Sequence, residues 1–226
     1  MTKIICISDT HGAHNKLEIP ECDVLIHAGD WTTSGTMKQV KEFAEWFRSL
    51  DQASEKICIP GNHDIVAESY TDFVRDEFPS KDGIHLLIDE HVTVEGIKYW
   101  GSPYTSRFGV GYAFQVDRGS AARAHWSQIP SDANVIITHG PPKGYADLAV
   151  DFNWDPTSIY GKLIHAGDNQ LREKLAEIKP RFHVCGHMHG GYGIHPTEFG
   201  TVVVNAAVSA DRHNVSNFNP IVVHYY

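Results

Sequence analysis

Five short runs rich in β-branched and apolar residues each break off into a glycine-containing loop that carries Asp, Asn or His, and this recurrence constrains the fold more than any other feature of the chain. Residues 3–8 lead into Asp9-Thr10-His11-Gly12, 23–27 into Ala28-Gly29-Asp30, and 56–59 into Pro60-Gly61-Asn62-His63-Asp64. Residues 134–138 lead into His139-Gly140-Pro141-Pro142, and 181–185 into Gly186-His187-Met188-His189-Gly190. Runs of this length read as buried strands. In an α/β sheet the C-terminal ends of parallel strands open on one crevice, so the polar loops are expected to converge there. Within the first and last loops Asp9 and His11, and His187 and His189, stand two apart, and alternation along extended backbone would put both members of each pair on one side.

Between these strands, Met37, Val40, Ala44, Phe47 and Leu50 recur at helical spacing, predicting an amphipathic helix over 36–50. A second helix is expected over 65–78 and a short one over 120–128. A fourth, capped by Asp168 and carrying Leu171, Leu175 and Ile178, should stop at Pro180. Residues 84–88, 91–95 and 97–100 read as short strands, the last two forming a hairpin at Gly96, followed by an aromatic, Gly-rich loop over 102–114. Residues 192–195, 201–205 and 221–225 finish the chain as strands. Alternation of strand and helix early, with hairpins in the middle and at the end, implies an α/β fold of mixed sheets packed in layers with helices outside.

A chain of 226 residues suits one α/β domain, 1–226, with an ordinary globular composition of 42% hydrophobic and 21% charged residues. The formal net charge of -9 argues against a grip on duplex nucleic acid or an anionic membrane, both of which need clustered Lys and Arg. An anionic ligand would have to be attracted by bound cations. Cys6, Cys22, Cys58 and Cys185 lie in or beside apolar runs without a C-x-x-C pair, as small buried hydrophobes in a reducing compartment. No run reaches membrane-spanning length and the N-terminus lacks a signal-peptide pattern, so a cytoplasmic location is expected.

The convergent set is Asp9, His11, Asp30, Asn62, His139, His187 and His189. Seven nitrogen and oxygen ligands exceed the needs of one tetrahedral ion, whereas two ions sharing a bridging carboxylate would use them all. The absence of thiolate favours Mn²⁺, with Fe or Zn²⁺ as alternatives. Such a pair, about 3.5–4 Å apart, acidifies a bridging water and clamps both oxygens of an in-line displacement at phosphorus. Ile26-His27-Ala28-Gly29-Asp30 recurs as Ile164-His165-Ala166-Gly167-Asp168. The second copy opens a helix with no preceding β-run, so Asp30 is assigned to metal and Asp168 to capping. Asp64 also stands where it could cap the helix that follows it. The other histidines are read as ordinary core or surface residues, with His27 the nearest exception, and Asn205 as structural. Around Tyr104, Arg107, Phe108, Tyr112 and Phe114, aromatic rings for stacking and an Arg for phosphate suggest substrate contact, Arg107 being the named candidate. A packed aromatic cluster is the competing explanation.

The ordered motifs D-x-H, G-D, G-N-H-D, H-G and G-H-x-H, carried by Asp9/His11, Gly29/Asp30, Gly61 to Asp64, His139/Gly140 and Gly186/His187/His189, resemble those of the calcineurin-like metallophosphoesterase superfamily. Ser8-Asp9-Thr10-His11, Gly101-Ser102-Pro103-Tyr104 and the stretch around His187 to Ile194 are similar to its metallophosphoesterase-domain-containing branch, related to class III cyclic nucleotide phosphodiesterases. The resemblance implies a layered α/β/β/α sandwich of two mixed sheets flanked by helices. It also implies that Asp9, His11 and His189 hold one metal, that Asn62, His139 and His187 hold the other, and that Asp30 bridges them. His63 would stabilise the phosphate or protonate the leaving oxygen, and Asp64 would orient it by accepting its other N–H. Some relatives in that branch lose the final His of G-H-x-H; His189 is present here. The expected activity is hydrolysis of a small phosphodiester, cyclic nucleotide-like, by a metal-bridging hydroxide. A phosphomonoesterase or protein phosphatase, and a silent metal-binding scaffold, are the alternatives.

Overall fold

The computed structural model describes residues 1–151, 162–210, 214–215 and 219–226. The chain begins with β1 (Thr2–Ile7), β2 (Cys22–His27), α1 (Met37–Ser49) and β3 (Ala53–Cys58). A capping box starts α1: Thr36 Oγ1 accepts from Gln39 N, and the Gln39 side chain accepts from Thr36 N. The single helix expected over 65–78 is instead two, α2 (Ile65–Ser69) and α3 (Thr71–Glu77), broken at Tyr70 with φ -135°. There the Thr71 hydroxyl takes the Ala67 carbonyl, at 2.9 Å, that its own backbone N–H would claim in a continuous helix.

Next come β4 (Ile84–Leu86), β5 (Glu90–Val94) and β6 (Ile97–Ser102), then β7 (Thr105–Ser106), β8 (Gln115–Val116), α4 (Ser120–Trp126) and β9 (Val135–Thr138). Glu95 and Gly96, at φ 51° and 74°, make the tight turn between β5 and β6. After them lie β10 (Leu148–Asp151), β11 (Lys162–His165), α5 (Asn169–Ile178), β12 (Phe182–Cys185), β13 (Gly193–Pro196), β14 (Val202–Asn205), β15 (Ser209–Ala210), β16 (Asn214–Val215) and β17 (Ile221–Tyr225). β11 corrects one expectation, because the second Ile-His-Ala-Gly-Asp copy does follow a strand, paired antiparallel with β10 outside the two large sheets. Asp168 nevertheless caps α5, accepting from Leu171 N at 2.8 Å, and also from Ser106 Oγ at 2.6 Å.

The first large sheet has the order β17-β1-β2-β3-β4, parallel except for β17; the second runs β13-β14-β12-β9-β6-β5, parallel except at the two edges. Alternation within the strands gives each sheet two apolar faces. Ile4, Cys6, Val24, Ile26 and Ile57 pack between the sheets against Tyr99, Val135, Ile137, Val184 and Val204. On the outer face of the first, Ile5, Ile7 and Leu25 meet Val40, Phe43 and Phe47 of α1 and Val74 of α3; on that of the second, Trp100 and Ile136 meet Ala122 and Trp126 of α4 and Leu171 and Leu175 of α5. Both faces of both sheets are thus buried, as parallel strands require. The result is the expected α/β/β/α sandwich of two mixed sheets flanked by helices. None of the described helices is long and apolar enough to cross a membrane.

Candidate metal centre

The five polar loops do meet, but from two sheets. β1, β2 and β3 of the first deliver Asp9, His11, Asp30 and Asn62; β9 and β12 of the second deliver His139, His187 and His189. The loops leave their strands abruptly. Asp9, His11, Asp30 and His187 have φ of 56°, 44°, 57° and 63°, a left-handed conformation uncommon for residues with a side chain. Each such residue costs about 1–3 kcal/mol and persists where surrounding structure over-determines it. The expectation that Asp9/His11 and His187/His189 share a side through extended backbone is therefore corrected: sharp left-handed turns aim them, and His189 already belongs to a 3-10 turn.

Asp9 and Asp30 sit at the centre, 0% and 2% exposed. Asp9 Oδ1 lies 3.3 Å from His189 Nε2 and 4.0 Å from His11 Nε2, and its carboxylate accepts from the backbone N–H of His187. One oxygen of Asp30 accepts from His63 N at 2.8 Å. Its other oxygen lies 3.8 Å from His11 Nε2 and 3.3 Å from His139 Nε2. Asn62 Oδ1 is 3.0 Å from His139 Nε2, and the His139 and His187 rings are 5.1 Å apart. Asp30 therefore stands between a cluster of Asp9, His11 and His189 and a cluster of Asn62, His139 and His187.

Backbone carbonyls set the rings. His139 Nδ1 pairs with Ala28 O at 2.9 Å and His11 Nδ1 with Thr32 O at 3.3 Å, so each turns Nε2 toward the carboxylates. This is the outer support that metal-ligating imidazoles use. The ligand-atom groups Asp9/His11/His189 and Asp9/Asp30/His139 each fit within 4.8 Å, as does His11/Asp30/His63, which suits a small cation with nitrogen and oxygen donors.

Without cations the charges balance among themselves. Burial opposes ionisation of Asp9, but the His189 hydrogen bond and the neighbouring imidazoles hold it well below the carboxylate range. Burial likewise opposes ionisation of Asp30, yet His139 brings it down to about 2, and the two carboxylates raise His139 to about 9 against its own burial. Burial, with His139 nearby, pushes His187 down to about 3. Concentrated buried negative charge with an imidazolium standing in for a cation is what a divalent ion would neutralise.

His63 and Asp64 do not form the expected pair. His63 Nδ1 donates to Thr33 O at 2.8 Å, so a backbone carbonyl orients the ring. Asp64, fully buried, accepts from the backbone N–H groups of Gly61, Trp31 and Thr32 and from the Thr32 hydroxyl. It occupies the N-cap position of α2 but makes no side-chain cap bond, because its oxygens are turned back to lock the Gly61 and Trp31 loops together. Burial and the Asp30 charge raise its pKa to about 7 in spite of these donors. Arg107 is likewise redirected: its Nε pairs with Asp117, and it does not line the central cavity. Tyr104 and Phe114 pack against each other, 5.6 Å between centroids, as the packed-cluster reading expects.

That cavity, about 140 Å³, is lined by His11, Asp30, Asn62, His63, His187, His189, Phe108 and Tyr112. Two roomier grooves, of about 480 and 560 Å³, are lined by none of the seven converging residues. Supports that no motif marks include Thr32 and Thr33, through the bonds above, and Asn205, whose Nδ2 donates to the carbonyls of Ala146, Gly186 and Met188 and so holds the His187/His189 loop. His27, buried, pairs with Thr10 Oγ1 at 3.0 Å between Asp9 and His11, in the supporting role considered for it.

Fold and site together define a metal-dependent hydrolase of phosphoric esters. The chain belongs to the calcineurin-like phosphoesterase family, whose model matches residues 2–191. It is 35% identical over 243 residues to the human metallophosphoesterase domain-containing protein 1, covering 98% of this chain and 70% of that protein. The crystal structure of a phosphopantetheinyl hydrolase from Mycobacterium tuberculosis shares the fold, with a TM-score of 0.60 and 14% identity over 97% of this chain and 95% of that one. The family uses divalent metals, and the donors described above fit them.

Proposed function

We propose that the protein is a dinuclear phosphodiesterase acting on a small phosphodiester, cyclic nucleotide-like, with Mn²⁺ as the working metal. The observation that carries this reading is the position of Asp30, one oxygen of which lies 3.8 Å from His11 Nε2 and 3.3 Å from His139 Nε2, between two ligand clusters. Asp9, His11 and His189 would hold one ion, Asn62, His139 and His187 the second, and Asp30 both. When bound, the ions supply Lewis acidity at the phosphoryl oxygens and lower the pKa of the attacking water.

The chain's own part falls to His63. Its Nδ1 proton is committed to Thr33 O, so proton exchange with a leaving oxygen takes place at Nε2. His63 lines the cavity and its ring centroid is 4.8 Å from that of His11, which puts it beside the metal cluster. Asp64 acts as a positioning residue, joining the loop that carries Asn62 and His63 to the one that follows Asp30. The small cavity and the net charge of -9 favour a small ester over a nucleic-acid duplex. Free cysteines at positions 6, 22, 58 and 185 suit a reducing, cytoplasmic setting.

The test compares bis(p-nitrophenyl) phosphate with p-nitrophenyl phosphate in Mn²⁺. Turnover of the diester is expected to dominate. An inert diester alongside a hydrolysed monoester would replace this reading with a phosphomonoesterase.

A further inference from the structure

We propose that Phe108 and Tyr112 form an aromatic lip that receives a flat, uncharged ring carried on the group esterified to the phosphate, as a base is carried on a ribose, and that Gln115 is the positioning residue that holds this lip. The inference rests on the phosphoesterase reading above and adds what lies beyond the phosphorus. A cavity of about 140 Å³ has room for a phosphoryl group and little more, so the substituent must leave through the mouth. Phe108 and Tyr112 stand side by side there, the Phe108 centroid 4.9 Å from His187 and the Tyr112 centroid 5.4 Å from His63. The two rings are 4.8 Å apart and inclined at 40°.

Their exposure is informative. Phe108 and Tyr112 are 49% and 41% exposed, whereas Phe114 on the same segment is 3% exposed. The segment thus buries one ring as its anchor and leaves two in water above the site. Among the described residues lining the cavity there is no Lys or Arg, and the nearby Arg107 is paired with Asp117. Among these described residues a second anionic group would meet no Lys or Arg, while a planar ring would find aromatic surface.

Gln115 makes the lip rigid. Its Oε1 accepts from Phe108 N and Gly109 N at 3.0 and 3.2 Å, and its Nε2 donates to Gly109 O and Tyr112 O, both at 3.0 Å. One primary amide thereby closes the segment from Phe108 to Tyr112 on itself. Ala113 N donates to Asn62 O at 3.0 Å and Phe114 N to Glu68 Oε1 at 2.9 Å, tying the lip to the loop of Asn62 and His63. The backbone that carries the two rings is therefore held before any ligand arrives, which reduces the entropy cost of binding.

The experiment is calorimetric titration of the Mn²⁺-loaded protein with non-hydrolysable methylenephosphonate analogues of AMP and of ribose 5-phosphate, which differ only by the base. The AMP analogue should bind at least about fivefold tighter, the effect of one stacked base. That ratio should fall toward one in the Phe108→Ala/Tyr112→Ala double variant and in Gln115→Ala, and should survive in Phe108→Tyr. Gln115→Glu, which keeps the two accepted bonds and loses the two donated ones, should give an intermediate ratio; a general loosening of the fold would weaken both ligands and leave the ratio alone. A wild-type ratio near one, or a ratio unchanged in the double variant, would overturn the lip while leaving the phosphoesterase reading intact. Failure of both analogues and of inorganic phosphate to bind would overturn that reading, and the lip with it.

Discussion

Gly186, just after β12, packs directly against Ser8 and Asp9 at the end of β1, and Gly186→Ala is the sharpest probe of how the centre is built. A Cβ there would fall on Asp9 Oδ2 and on Ser8 Oγ, in severe overlap with both. Neither can swing away. Ser8 and Asp9 are both 0% exposed, Ser8 Oγ donates to Gly29 O, and the Asp9 carboxylate is held by His187 N at 3.0 Å and His189 Nε2 at 3.3 Å. Relief must come from moving the Asp9 carboxylate or opening the junction between β1 and β12. Overpacking of this kind costs about 1–3 kcal/mol. A displaced ligand should lower metal affinity by at least the roughly 10–100-fold seen when a supporting residue is lost. Gly96→Ala is the control: at φ 74° with no atom within 4 Å, it carries only the backbone penalty, about 1–2 kcal/mol, far from the centre. Urea unfolding should show both variants destabilised, and Mn²⁺ titration followed by elemental analysis should show metal loss in Gly186→Ala alone. If Gly186→Ala binds Mn²⁺ as tightly as wild type, Asp9 is not held in place by its packing against Gly186.

Three further outcomes are expected. His63→Ala should retain its metal content and lose roughly 10²-fold or more in turnover; an unchanged rate would remove His63 from the mechanism. Asp30→Ala should lose both ions together, read as metal per chain, whereas loss of one ion only would deny it the bridging position. The third concerns pH. His183 is fully buried, pairs with Thr138 Oγ1 at 2.8 Å, and burial pushes its pKa down from 6.5 to about 3. The unfolded chain therefore takes up the proton first, so stability is whole above pH 6.5 and declines by about 1.4 kcal/mol per pH unit between there and pH 3. His183→Gln should flatten the fall in urea midpoint between pH 7 and 5 relative to wild type, and an identical fall would refute the assignment.

Much of the centre was legible because its residues sit directly after strands, and a strand's end is a local signal. Asp9, Asp30, His139 and the His187/His189 pair could be found from apolar runs stopping at Asp, His and Gly, and the order of the motifs carried the family. The break at Tyr70 was not legible, because it depends on a hydroxyl of Thr71 competing for a carbonyl rather than on periodicity. The partner of His63 was hidden for a similar reason: a backbone carbonyl such as that of Thr33 has no side-chain signature, whereas the adjacent Asp64 looked like the natural acceptor. Arg107 looked like a phosphate ligand by its type, but its direction was set by Asp117.

By itself, then, the sequence determined the five strands that carry the polar loops, that they are buried, and which polar residues stand at their ends, since hydrophobic period and chain order are local and additive. The tertiary structure alone decided that three of those ends come from one sheet and two from the other, that left-handed turns aim Asp9, His11, Asp30 and His187 inward, and that Asp30 falls between the two clusters. It also chose Phe108 and Tyr112 over Arg107 for the mouth. These are relations among residues far apart in the chain, fixed by packing one sheet on another, and no local pattern encodes them.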